Sequence, residues 1–368
     1  SNINPFSHSP FLNKEEWKFN LGFVNIISRI GKRVVYLRRN LAYMFNKKTL
    51  YISLAFILAV GLSSWGFLVH RTIHQIAIYS LPEPLQSFMH KEMNNLVSNS
   101  TRPDIRRNTD KTEATKHFID LEAYGPNAAN NMPINWSNAI KKYNQDTLLK
   151  YGYVPYVIVD QLEKLTNAFR AKNKDSILFY AADLGHYIGD AHVPLHTTLN
   201  YDGQLTGQKG LHSLWESFVP ELRIDQYQLY NAHKATYIKN PSEAIWIDIR
   251  VAAGLVPELL AIEKEVSIQF KPETKYKTQM RYGRETKVYT KEFAEAYANG
   301  LGPTVNKQLI ASANMIADFW YTAWVNAGKP TMTTREISTN LSSELKSFKM
   351  NRLIKDDLLL SKKEKPEN

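Results

Sequence analysis

The stretch HYIGDAHVPLH, residues 186–196, decides how the rest of the chain is read. His186 and Asp190 stand four apart, so on a helix they lie roughly 40° apart and share one face. Two such side chains on one rigid face can hold a metal ion without loop entropy opposing them. Pro194 ends or kinks that helix, which swings His196 toward a different position. Outward from this stretch, His212 and Glu216 in HSLWE repeat the four-residue spacing. Between the two pairs lies YDGQLTGQKG, residues 201–210, whose three glycines predict a flexible loop. Upstream come Trp65-Gly66 with His70, Asp104 in RPDIRR, and His117 in HFID. The chain has no cysteine, which excludes disulfides, thiolate metal sites and a cysteine nucleophile. Any metal must therefore be held by His, Asp, Glu or backbone groups. A lone helical histidine is more often a packed or surface residue, and His74, His90, His192 and His233 are read that way. For the two His-x3-acid pairs, spacing alone leaves metal binding and helix packing open.

The wider pattern is helical. Residues 155–195 carry apolar side chains at three- and four-residue spacing, broken by a Lys-Asn-Lys-Asp turn near Lys172. Residues 256–270 and 305–325 show the same period. Only residues 275–289 suggest a hairpin, with Tyr282-Gly283 at its turn. From Glu336 on the sequence is polar and charged, and a frayed C-terminal tail over 336–368 is expected. Trp215 and Phe218 are read as core.

The 368 residues suit one large domain or two ordinary ones, and 43% hydrophobic with 22% charged residues argues against general disorder. The net charge of +11 invites a nucleic-acid or anionic-membrane reading. Its distribution removes most of that invitation. Residues 1–43 hold seven basic and two acidic residues, net +5, and 44–64 hold Lys47 and Lys48. Residues 65–368 keep only +4, from 37 basic and 33 acidic residues. Residues 49–62 form an apolar run of 14, short of the ~20 a spanning helix needs. With Lys47-Lys48 ahead and Ser63-Ser64 behind, it has the three parts of a secretory leader. The expected division is an extension over 1–43, a signal peptide over 44–64, and a catalytic domain over 65–335 that is exported to the periplasm or the cell exterior.

Taken in order, these residues resemble the zinc-dependent phospholipase C and single-strand-specific nuclease superfamily, over residues 65 to about 325. The resemblance implies an all-α, single multi-helix domain with three zinc ions in one cleft. It implies Asp104, His117, His186 and Asp190 on the first ion, and His196, His212 and Glu216 on the second. The third would take His70, Asp190 as a bridge, and the amino nitrogen and carbonyl of Trp65. A free amine at Trp65 requires cleavage after Ser64, so export and completion of the site would be one event. The implied activity is hydrolysis of phosphate esters, since clustered zinc neutralises the anion and acidifies a water toward a pKa of about 7. Arg107 is expected to contact the phosphoryl oxygens, and Asp120 to orient the water or that arginine; Asp190 completes the catalytic set. The chain departs from the family where Arg102-Pro103 stand in place of Trp-Ala before Asp104. Its closing Glu216 matches the phospholipase C branch, while the wording HYIGDAHVPLH and LHSLWE is nearer the nucleases. The reading is a phospholipase C-like esterase, with single-strand nuclease or 3'-nucleotidase as the alternative. A membrane-anchored zinc-binding surface protein is the non-enzymatic alternative. Phospholipid or single-stranded nucleic acid is the expected partner, and a monomer is expected.

Overall fold

The expected helices form, and they surround the 186–196 stretch. A computed structural model of the chain describes residues 66–281, 284–332 and 340–363. In chain order the elements that matter are α1 (Phe67–Ser80), the short α2 (Arg102–Arg106), α3 (Val154–Arg170) and α4 (Lys174–Ala191). They are followed by α5 (residues 211–223), α6 (Pro241–Ser267), α7 (Lys291–Leu301), α8 (Thr304–Asn326) and α9 (Leu341–Lys349). The middle of α5, Leu214–Phe218, is a π turn. The only sheet among the described residues is the hairpin of β1 (Tyr276–Arg281) and β2 (Arg284–Tyr289), antiparallel with Tyr276 opposite Tyr289. The turn residues Tyr282-Gly283 lie outside the described residues, as do the extension 1–43, the leader 44–64 and Trp65. No described helix is long and apolar enough to cross a membrane.

Helix α4 is the central element, packed against α1, α3 and α8. Its start is set by Asn173, whose side chain accepts from the Ser176 amide, after Lys172 turns the chain in the left-handed region. Its end at Ala191 agrees with the Pro194 stop, and Pro194–Thr197 continues as a 3₁₀ turn carrying His196. Two glycines one turn apart let α1 reach α4. A β-carbon at position 185 would stand 2.4 Å from His74 Nε2, and one at 189 would stand 2.8 Å from Ile73 Cδ1. The gap between the helices is thus filled by α1 side chains, among them the fully buried His74, whose ring nitrogens face the carbonyls of His70 and Ala182. On the α8 side, Trp320 Nε1 donates to the Ala181 carbonyl.

Two expectations need correction. The apolar segment expected from residue 256 is the second half of the 27-residue α6, which runs through Pro257. Burial of Trp246, Ile249, Ala252 and Leu259 holds the helix together across a residue that otherwise signals a stop. The C-terminal segment is also docked rather than frayed through residues 340–363. Of its apolar residues, Leu341, Phe348, Leu353 and Leu359 are buried, Leu345, Ile354, Leu358 and Leu360 are partly buried against the core, and Met350 is exposed. Gln75 of α1 donates to the Leu358 carbonyl and accepts from the Leu360 amide, so the segment is tied to the back of the helix that bears His70. Glu344 accepts from Tyr79 at 2.9 Å and lies 2.7 Å from His90 Nε2. Leu341, Leu345 and Phe348 do keep helical spacing, but the polar and charged residues around them dominate the segment's composition, which is why its docking was not legible.

Phe348 packs its ring on Tyr79 and Tyr230. Phe348→Ala should lower the stability of the protein by about 3–5 kcal/mol, read as a drop in the midpoint of denaturant unfolding. A change under about 0.5 kcal/mol would mean that the C-terminal segment is not docked in solution.

Candidate metal centre

One carboxylate stands at the middle of the site. Asp190, on the last turn of α4, is 2% exposed and faces four imidazoles from four places in the chain. Its Oδ2 lies 2.8 Å from His117 Nδ1 and 3.2 Å from His186 Nε2. Its Oδ1 lies 3.4 Å from His70 Nε2 and 3.6 Å from His196 Nδ1. His70 comes from the start of α1, which Gly189 admits; its ring stacks on that of His186 with centroids 4.1 Å apart. His117 comes from a loop whose next turn is fixed by the Ile119 amide donating to the His196 carbonyl. Asp104, on α2, brings Oδ1 to 3.8 Å from His117 Nδ1 and 3.9 Å from His186 Nε2.

A second cluster adjoins the first through His196. Its Nε2 is 2.9 Å from His212 Nε2 and 3.4 Å from Glu216 Oε2, and the latter two atoms are 2.7 Å apart. The π turn of α5 carries Glu216. All eight side chains expected as metal ligands are thus brought together. Four groups among them place their ligand atoms within 4.8 Å of one another: His70–Asp104–His186, His117–His186–Asp190, His196–His212–Glu216 and His70–Asp190–Glu216. The ninth expected ligand, Trp65, is outside the described residues; the neighbouring Gly66 lies against Glu216, whose Oε1 would be 3.1 Å from a β-carbon there.

The donor chemistry fits cations. His186 Nδ1 is 2.8 Å from the Ser100 carbonyl, which can only accept, so a neutral ring has its N–H there and its Nε2 lone pair toward the cluster. In the second cluster three potential acceptor atoms converge, and converging lone pairs repel unless a proton or a cation stands among them. His70 Nδ1 is buried without a hydrogen-bond partner. In the metal-free protein, protons supply the missing charge. Burial opposes charge on His117, but Asp190, Glu113 and Asp104 outweigh it and push the ring up to about 9. Burial likewise works against the Asp190 carboxylate, yet His186 and His117 hold it well below the usual range. Glu216 is held low in the same way by His212 and His196.

Arg107 is half exposed, with Nη1 3.4 Å from Asp104 Oδ1. Asp120 is partly buried; burial, then the charge of Glu122, pushes its carboxyl up to about 6. Trp215 is in the core and Phe218 is partly buried against it. His90, His192 and His233 pair with Glu344, Asp248 and Asp318 and belong to neither cluster. The glycine loop is held rather than free. Gln208 donates to Glu263 Oε2 at 2.6 Å and to the Leu260 carbonyl, which ties the loop ahead of His212 to α6. The sequence analysis assigns no role to Glu113, Asp183 or Arg106, which the structure joins in one network. The available signal was Asp183, an acid on the buried side of α4, whose charge needed a partner.

The domain is of the all-α class, and its two adjoining histidine–carboxylate clusters are ligand sets that could hold metal ions. Residues 65–322 match the S1/P1 nuclease family, and the chain belongs to that family. Among solved structures it is similar to the alpha-toxin of Clostridium absonum, at 15% identity and TM-score 0.38, covering 68% of this chain and 63% of that one. It is also similar to the alpha-toxin of an avian strain of Clostridium perfringens, at 16% identity and TM-score 0.39, covering 72% and 65%. The chain spans less than two thirds of the length of these proteins. No curated protein matches it.

The raised Asp120 gives a pH-dependent prediction for the metal-free protein. Folding disfavours its charged form, so the cost is absent below the unfolded value near ~3.9 and grows as pH rises through about 6. Asp120→Asn should therefore raise Tm relative to wild type at pH 7.5 and leave it unchanged at pH 4. An equal shift at both pH values would contradict the placement of this carboxyl.

Proposed function

We propose that this chain is an exported, zinc-dependent phosphodiesterase of the nuclease kind, acting on single-stranded nucleic acid or 3'-nucleotides at a three-ion cleft. The observation that carries the reading is Asp190: one buried carboxylate shared by His70, His117, His186 and His196, with the His196–His212–Glu216 cluster joined to it. So many ligands in reach of one another exceed a closed four-coordinate structural site and suit several ions side by side. Asp104, His117, His186 and Asp190 would hold one ion, His196, His212 and Glu216 a second, and His70 with Asp190 and the Trp65 backbone a third. Zinc there supplies charge neutralisation for a phosphodiester and acidification of a water.

The chain's own groups set the rest. Ser100 fixes the His186 tautomer through Nδ1, so the ring presents its lone pair without reorienting. Asp120, with a carboxyl near 6, can accept a proton on an oxygen at neutral pH and return it, the range in which a general base works best. Arg107 holds a guanidinium at the mouth, free to exchange its long contact with Asp104 for a phosphoryl oxygen. The family match over residues 65–322 favours nucleic acid as substrate. A phospholipid headgroup is the second reading, favoured by Glu216 as the closing acid of the His-x3-acid pair.

Export follows the leader expected over 44–64, and the mass of the secreted protein tests it: a chain beginning at Trp65 agrees, and one that retains residues 44–64 removes the third ion site as drawn. Purified, zinc-loaded protein from Trp65 onward should cleave single-stranded DNA and RNA in preference to phosphatidylcholine. The reverse preference would establish the phospholipid reading, and cleavage of neither at full zinc occupancy would reject both. His186→Ala should lower turnover by more than the ~100-fold typical of losing an outer contact to a metal ligand. Wild-type turnover in that variant would refute the site.

A further inference from the structure

Behind His117 lies a polar network that the metal ligands alone do not require. Glu113 is fully buried, and its Oε1 lies 3.6 Å from His117 Nε2, a nitrogen that is itself buried and has no hydrogen-bond partner. Four residues apart, the two side chains share the turn that delivers His117 to the site. Glu113 is held from several sides. Arg106 Nη2 donates to Oε1 at 2.9 Å, Tyr187 Oη donates to the same oxygen, and Lys116 Nζ donates to Oε2 at 2.7 Å. Arg106 also donates to Asp183 Oδ2 at 3.0 Å, and Arg102 donates to Asp183 Oδ1 while its guanidinium lies 3.9 Å over the Phe179 ring.

This network joins three ligand-bearing segments. Arg102 and Arg106 flank Asp104 on α2; Asp183 and Tyr187 flank His186 on α4; Glu113 precedes His117. Arg102 and Arg106 thus anchor α2 to α4 with charge, through Asp183. The geometry at His117 is directional. Nδ1 faces Asp190 at 2.8 Å and Nε2 faces Glu113, so each edge of the ring meets a different carboxylate. When Nδ1 binds a cation, the remaining proton of the neutral ring must sit on Nε2, where only an anion or an acceptor makes it welcome.

We propose that Glu113 is a positioning residue that fixes the orientation and the Nε2–H tautomer of His117, and so sets the affinity of the Asp104–His117–His186–Asp190 site for its ion. The Arg106–Tyr187–Lys116 donors hold Glu113 in place and keep its charge. The consequence is a selective one: loss of this carboxylate weakens one site and leaves the His196–His212–Glu216 site alone.

The inference rests on the metal reading of the clusters, and the test separates the two. Zinc binding to the metal-free protein is measured by titration against a competing chelator, for wild type and Glu113→Gln. Wild type should bind at several sites, and E113Q should lose about 10–100-fold in affinity at one of them with the others unchanged. A uniform loss at every site, as general unfolding would give, or no loss at all, overturns the proposal. Wild type that binds no zinc overturns the metal reading instead. Should E113Q fail to fold, the imidazole ¹⁵N spectrum of zinc-loaded wild type decides: a His117 proton on Nε2 that is slow to exchange supports the proposal, and a rapidly exchanging one or a proton on Nδ1 overturns it.

Discussion

Burial of the Asp190 carboxylate is the constraint on which the rest depends. An unpaired buried carboxylate is costly, and this one is supported by four imidazoles that approach it from four segments of the chain. Each partner needs its own route in. His186 shares the α4 face one turn earlier, His70 arrives because Gly189 leaves room for α1, His196 is turned back by Pro194, and His117 rides on a loop pinned to the His196 backbone. Any cation bound there sees a site that the fold has already assembled, which limits the reorganisation that binding requires.

The surroundings fall into an apolar half and a charged half. Behind α1 and α4 the packing is by shape, with glycines opposite large side chains and Trp320 closing the α8 side. Around α2 the packing is by charge, with the buried Asp183 and Glu113 compensated by the partly exposed Arg102 and Arg106. A charged support is more directional than an apolar one, because each hydrogen bond specifies an angle as well as a distance. That suits a five-residue helix, too short to be held by packing alone, which must aim Asp104 at two histidines.

Much of this was written locally. The three- and four-residue apolar period marked the helices, the two His-x3-acid pairs marked shared faces, and Pro194 marked the end of α4. The order and gaps of the eight ligands carried the family resemblance. What escaped reading shares a physical cause. The first half of α6 lies ahead of Pro257, a residue whose local signal is to stop, and burial of Trp246 and Ile249 overrides it. The C-terminal segment keeps a helical period at Leu341, Leu345 and Phe348, but its charged residues dominate its composition, and the hydrogen bonds from Gln75 that tie it to α1 come from far away in the chain. Arg102, Arg106 and Glu113 look like surface charge in sequence, and nothing nearby in the chain names Asp183 as the partner for both arginines.

The sequence by itself determined the helical class, the ligand types and the spacing that sets two of them on each face, because these follow from backbone periodicity and side-chain chemistry. It also located most of the net positive charge before residue 65, which weakens the charge as a sign of a nucleic-acid partner. Only the tertiary structure decided that the Asp190 carboxylate meets four imidazoles at once, that Glu113 is buried behind His117, and that the C-terminal segment braces α1. Glu113–His117 and His186–Asp190 are four residues apart, but what buries them, Arg106, Tyr187, His70 and the C-terminal segment, comes from elsewhere in the chain, and those meetings are fixed by which helix faces can be buried together, a condition no local window of sequence contains.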